Sequence, residues 1–143
     1  MVQASDQILL TYKDSVTIRQ ADINTLNDGC WLNDAVISLY LDYLVDDNLA
    51  NFPLADKALA LEPAAAKLMT LTNDDEDLID MLGPLRLEEK YLILCPLNDA
   101  QSSSGGGSHW AMLFVVRHDL DDPGSVSAYL MDSSAGSPML GIA

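Results

Sequence analysis

The residue best suited to acid–base chemistry in this chain is His109, because imidazole alone among side chains ordinarily titrates near neutral pH. It stands in the run Gly105-Gly106-Gly107-Ser108-His109-Trp110, and the apolar stretch Ala111 to Val116 follows without a break. Three consecutive glycines adopt backbone angles closed to other residues, so the chain there turns sharply or lies close against a ligand. The apolar stretch reads as a strand buried on both faces, ending at Arg117 and His118. His109 thus sits where a loop enters a rigid strand, a good mount for a general base. A second apolar strand, Val126 to Met131, carries Asp132 just past its end. If the two strands pair, Asp132 orients the His109 ring and stabilises its protonated form, as the acid of a hydrolase triad does.

The nucleophile is the open member. Cys30 lies just before a helix start, where the dipole lowers a thiol pKa, and a Cys-Trp pair occurs in papain-like nucleophile motifs. The rest of that motif is missing around Cys30, so the thiol stays a minor candidate. Cys95 lies inside an apolar strand and reads as a core residue. His118, between Arg117 and Asp119, reads as a solvated turn residue. Two distant cysteines offer neither zinc-ligand spacing nor a disulfide framework, so no metal or other cofactor is expected, and a reducing cytoplasmic or nuclear setting is.

The elements that must position these groups follow from periodicity. Ile8 to Tyr12 reads as a short edge strand ended by Lys13-Asp14-Ser15. Thr17 to Leu26 reads as a short helix with Ile18, Ile23 and Leu26 inward, followed by a turn at Asn27-Asp28-Gly29. A stronger helix, capped by Asn33 or Asp34 and running over about 34–45, places Val36, Ile37, Tyr40, Leu41 and Leu44 on one face. Asp46 and Asp47 oppose its dipole, so its last turn is expected to fray. Residues 48–60 fit no template. Pro63 to Leu71 reads as a helix with proline at its first position. A further helix is capped by Asn73 or Asp74 and stops at Gly83-Pro84. The period then changes: Tyr91 to Leu97, Trp110 to Val116 and Val126 to Met131 read as strands, with Asn98 to Ser108 a polar loop. Helices followed by a run of strands predict an α+β fold.

The chain has 143 residues, so one domain over 1–143 is expected. With 49% apolar residues it has the means to build a core. Seven basic against 22 acidic residues give a formal charge of −15, which argues against nucleic acid or an anionic membrane as partner. The acidic clusters at 42–47, 74–80 and 119–122 read as solvated surfaces rather than metal sites. The start lacks the basic and apolar segments of a signal peptide, and no apolar run reaches about 18 residues. Ser133 to Ala143 is small and loop-like, and nothing after the three strands is left to cover the second face of their sheet. The expectation is a domain cut short at its C-terminus.

Together these segments resemble the ubiquitin-like-protein-specific cysteine proteases (the sentrin/SUMO protease family), and most closely their deneddylase branch. The matching stretches are Leu10 to Ser15, Trp31-Leu32-Asn33-Asp34, Asn98-Asp99, Gly106-Gly107-Ser108-His109-Trp110 and Asp132-Ser133. They span nearly the whole chain, in family order. The resemblance implies a papain-like α+β fold of the ubiquitin-like protease type, with a helical N-terminal part and a mixed or antiparallel sheet. It implies His109 as general base, Asp132 as its orienting acid, and substrate-binding roles for Trp31, Asp34, Asn98, Asp99 and Trp110. The two tryptophans match the aromatics that roof a tunnel for the modifier's Gly-Gly tail, which only glycines fit. The family's cysteine and oxyanion glutamine find no match, so 1–143 reads as the N-terminal portion of the domain.

Three functional readings follow. The first is a cysteine peptidase that cleaves after the C-terminal Gly-Gly of a ubiquitin-like modifier, processing precursors and conjugates. The second is a catalytically inactive relative that binds the modifier through Trp31, Asp34 and Trp110. The third is an unrelated α+β interaction domain.

Overall fold

A computed structural model describes residues 6–100, 107–122 and 124–134. The chain divides after Phe52 into two compact units.

The first unit opens with a hairpin, β1 (Ile8–Tyr12) paired antiparallel with β2 (Val16–Arg19). Lys13 and Asp14 both take positive φ, 44° and 59°, the paired left-handed geometry of a tight hairpin turn. This corrects the helix expected over 17–26. Val16, Thr17 and Ile18 are β-branched, and on the pleat Val16 and Ile18 point inward and are buried while Thr17 and Arg19 alternate with them. Only Gln20–Asn24 is helical (α1), and Ile23 and Leu26 are exposed rather than inward. The Asp22 carboxylate accepts from Arg19 N–H at 2.7 Å and from Asn33 Nδ2 at 2.7 Å, tying α1 to the next helix.

That helix, α2, runs Asp34–Tyr43, and the Asn33 side chain caps it by accepting from Val36 N–H. Its buried positions are Ser38 and Leu41; Tyr40, expected on the inner face, is 61% exposed. The acidic end does not simply fray but widens into a π turn over Leu44–Asn48. The hairpin tip reaches back to it: Tyr12 OH donates to Asp47, Lys13 Nζ lies 3.3 Å from Asp46, and Ser15 Oγ donates to Asp42 at 2.8 Å. The lysine offsets the charge that the helix end would otherwise leave unopposed.

The second unit is built on a four-stranded sheet in the order β3–β4–β5–β6. β3 (Ala58–Ala60) is parallel to β4 (Leu92–Asn98), while β5 (Trp110–Arg117) and β6 (Val126–Met131) add antiparallel neighbours, so the sheet is mixed. With only three residues, Ala58-Leu59-Ala60, β3 is too short to give a readable pattern. Helices α3 (Pro63–Leu71) and α4 (Asp75–Leu82) precede β4; Pro63 is at the first turn of α3, and the Asp74 carboxylate caps α4. Leu61, Ala66, Cys95, Leu97 and Ala111 form a buried cluster, with Leu59, Met69, Leu85, Ile93 and Leu113 packed against it. Cys95, Leu97, Ala111 and Leu113 fall on one sheet face by register, and Ala66 of α3 shares their cluster. Tyr129 and Met131, on the other face of the outer strand β6, are exposed. No described helix is long and apolar enough to cross a membrane.

Candidate active site

The antiparallel register between β5 and β6 brings the site together. Met112 faces Met131, so one step further Asp132 stands opposite Ala111, and His109 is its diagonal neighbour on the same face. Diagonal partners lie within reach of long side chains. Ala111 between them is small and buried. His109 Nε2 meets Asp132 Oδ1 at 2.5 Å, with the side chains only 22% and 12% exposed. The same carboxylate oxygen accepts Ser134 N–H at 2.8 Å, which fixes its rotamer.

The backbone of His109 is held from the opposite side, by the end of β4. The β4–β5 ladder closes at Asn98 opposite Trp110. Beyond it, Asp99 N–H donates to the His109 carbonyl at 3.2 Å, and Asn98 Nδ2 reaches the same oxygen at 3.4 Å. Asp99 Oδ1 accepts the N–H groups of Ser108 at 2.6 Å and His109 at 3.0 Å, and Oδ2 accepts Ser108 Oγ at 3.0 Å. The Ser108 amide, aided by that of His109, holds the Asp99 carboxyl below the usual carboxylate range, so it is charged at neutral pH. Gly107 lies so close to Asn98 that a β-carbon there would come 1.8 Å from Asn98 Oδ1. Glycine at 107 is therefore a packing requirement. Residues 101–106, including Gly105 and Gly106, lie outside the described residues.

The other residues singled out from the sequence are placed as follows. Trp110 opens β5 and is half-buried, on the sheet face opposite His109 by alternation. Trp31, 66% exposed, and Asp34, exposed at the first position of α2, belong to the first unit. Asn98 and Asp99, read from the sequence as substrate contacts, use their side chains on residues 100, 108 and 109 of their own chain. That service to the His109 backbone was not anticipated. Its sequence signal was an Asn-Asp pair at a strand end with a glycine run before the histidine. Lys67 of α3 adds a long contact, 3.5 Å, from Nζ to the Asn98 carbonyl.

Within the second unit, the strand register keeps the Cys95 thiol away from His109. Cys95 is buried, and burial pushes its pKa up to about 11, so it stays protonated at neutral pH. It stands four residues along β4 from Asp99, the register partner of His109, or about 13 Å at strand spacing. Cys30 is exposed, in the first unit, after Gly29, whose φ of 77° turns the chain. Among the described residues no three His, Cys, Asp or Glu side chains cluster as metal ligands would. The geometry can do one thing well: hold an imidazole by its backbone and by Nε2, presenting Nδ1 for proton transfer.

No family model matches the chain. It is similar to the probable sentrin-specific protease 8 of Dictyostelium discoideum, 34% identical over 119 residues, covering 79% of this chain and 48% of that protein. It is similar to NEDD8-specific protease 1 of Arabidopsis thaliana, 32% identical over 116 residues, covering 80% of this chain and 49% of the relative. To the sentrin-specific protease 8 of Homo sapiens it is 28% identical over 112 residues, covering 78% and 51%. The chain thus spans about half the length of the curated relatives it matches. Among solved structures it is similar to Xanthomonas XopD, with a TM-score of 0.56 at 22% identity, covering 76% of this chain and 58% of that one. A de-sumoylating protease gives the same TM-score, 0.56, at 16% identity, covering 80% and 42%. These likenesses show the fold, an α+β fold of the ubiquitin-like protease type.

Proposed function

Since this chain belongs to the ubiquitin-like-protein-specific cysteine protease family (the sentrin/SUMO proteases), we propose that it carries the general base and orienting acid of a deneddylase-type peptidase. The observation that supports this most is the 2.5 Å contact of His109 Nε2 with Asp132 across two paired strands. In the proposed step, His109 Nδ1 takes the proton of a cysteine thiol, and the resulting imidazolium is stabilised by Asp132. The thiolate attacks the carbonyl of the modifier's terminal glycine, and His109 returns the proton to the departing amine. Water then hydrolyses the thioester, its proton again passing through His109.

The nucleophile is assigned to neither Cys30 nor Cys95, and residues 133–143 contain no cysteine or glutamine. Residues 1–143 are proposed as the N-terminal portion of one protease domain. A transcript that reads past codon 143 into a glutamine and then an Asp-Cys-Gly-like stretch supports this reading.

Trp31 and Asp34 of the first unit, and Asn98 and Trp110 of the second, are each proposed to contact the modifier. A ubiquitin-like modifier as partner is supported by the relative named for NEDD8 and by a XopD structure bound to ubiquitin, which is 22% identical with a TM-score of 0.51. The acidic charge and the absence of paired cysteine spacings support a basic-surfaced protein partner in cytoplasm or nucleus.

The test uses protein that carries the nucleophile. Asp132→Asn should lower the rate of precursor cleavage by about 10²-fold or more, because the ring loses its anchor and its counter-charge. Unchanged cleavage in that variant would sink the assignment. A second reading, an inactive relative that retains modifier binding, is supported by the placement of Cys95, buried and four residues along β4 from His109's register partner. Tail-dependent binding without cleavage by the complete protein would favour it.

A further inference from the structure

We propose that Asp99 is a positioning residue for His109, its carboxylate taking the place of a main-chain acceptor where the β4–β5 ladder ends. The inference rests on the reading of His109 as general base and gives Asp99 a different task from substrate contact. In a hydrogen-bonded antiparallel pair the two residues exchange N–H···O=C bonds in both directions. Asp99 and His109 make one such bond, from Asp99 N–H to the His109 carbonyl. The return bond from His109 N–H goes to Asp99 Oδ1, 3.0 Å away. The side chain also takes the Ser108 amide at 2.6 Å and the Ser108 hydroxyl at 3.0 Å. Three donors on a charged acceptor lock two consecutive residues at the point where the loop meets the strand.

The consequence is that His109 is fixed at both ends. Asp132 holds the ring through Nε2, and Asp99 holds the main chain from which the ring projects. A mount on a strand end alone would leave residues 107–109 as free to swing as any loop terminus. Gly107 completes the clasp by allowing the backbone to lie against the Asn98 amide.

The experiment compares Asp99→Ala, Asp99→Asn and Ser108→Ala in the complete protein, reading kcat and KM for a modifier precursor and amide exchange at Ser108 and His109. Asp99→Ala is expected to lower kcat about tenfold or more with KM nearly unchanged, since misplacing a base costs rate rather than binding. Exchange at the two amides should rise about tenfold, the scale of a lost hydrogen bond to a charged group. Asp99→Asn keeps an oxygen acceptor, so it should retain most of both properties. Ser108→Ala removes only the hydroxyl bond and should give a smaller change in the same direction. A raised KM with kcat intact would overturn the proposal in favour of substrate contact, and unchanged amide exchange in Asp99→Ala would overturn the clasp itself. If the unsubstituted protein cleaves nothing, the base reading fails, and the exchange data still decide the clasp.

Discussion

Residue 107 shows how little freedom surrounds the histidine. An alanine β-carbon there would overlap the Asn98 amide, whose Oδ1 already accepts from Ala100 N–H at 2.9 Å and whose Nδ2 donates to His109 O. The amide cannot turn away without giving up both bonds. Gly107→Ala should therefore cost about 1–3 kcal/mol by overpacking, and it should shift the His109 resonances even where the fold survives. Thermal unfolding together with the His109 ring spectrum checks this; a variant matching the parent in both would mean the loop yields freely. His109 and Asp132 were legible as a pair because each stands at the end of an apolar run whose pairing could be guessed. The task of Asn98 and Asp99 was not legible. Their side chains replace backbone partners, and sequence spacing does not reveal which acceptor an amide chooses.

At the scale of elements, α3, α4 and the last three strands of the second unit could be read because their signals agree, whereas β3 could not. Pro63 starts α3, Asp74 caps α4, and the apolar runs of β4 to β6 are bounded by polar turns. The misread stretch, 17–26, has conflicting signals: isolated apolar residues at helical spacing, but β-branched Val16, Thr17 and Ile18 next to a turn. Hairpin pairing with Ile8–Tyr12 is a tertiary choice that outweighs a weak local pattern. Ile18 is 1% exposed and carries that choice. Ile18→Ala should destabilise the first unit by about 2–5 kcal/mol, whereas Ile23→Ala, expected from the sequence to matter as much, should change stability by less than about 1 kcal/mol. Denaturant unfolding of both variants distinguishes the hairpin from the helix first expected. A loss at Ile23 equal to that at Ile18 would contradict the hairpin core.

For the molecule as a whole, the question is whether these 143 residues can perform the proposed reaction unaided, and they are expected not to. A cysteine peptidase needs a thiolate within hydrogen-bond reach of its imidazole. Cys95 fails on two counts, since burial holds its pKa near 11 and the register sets it about four strand residues from the position facing His109. Cys30 is exposed at the surface of the first unit, next to the tryptophan proposed to face the modifier tail. Without a thiol in reach, His109 and Asp132 have only water to activate. A polypeptide of residues 1–143 should then cleave no modifier precursor and take up no label from a modifier carrying a C-terminal electrophile, at any pH from 6 to about 9, where an ordinary thiol begins to ionise. The comparison is with Cys30→Ala and Cys95→Ala variants of the same polypeptide. Labelling that vanishes in Cys30→Ala would make Cys30 the nucleophile and bring the first unit into the catalytic apparatus. Labelling that vanishes in Cys95→Ala would require the second unit's core to open.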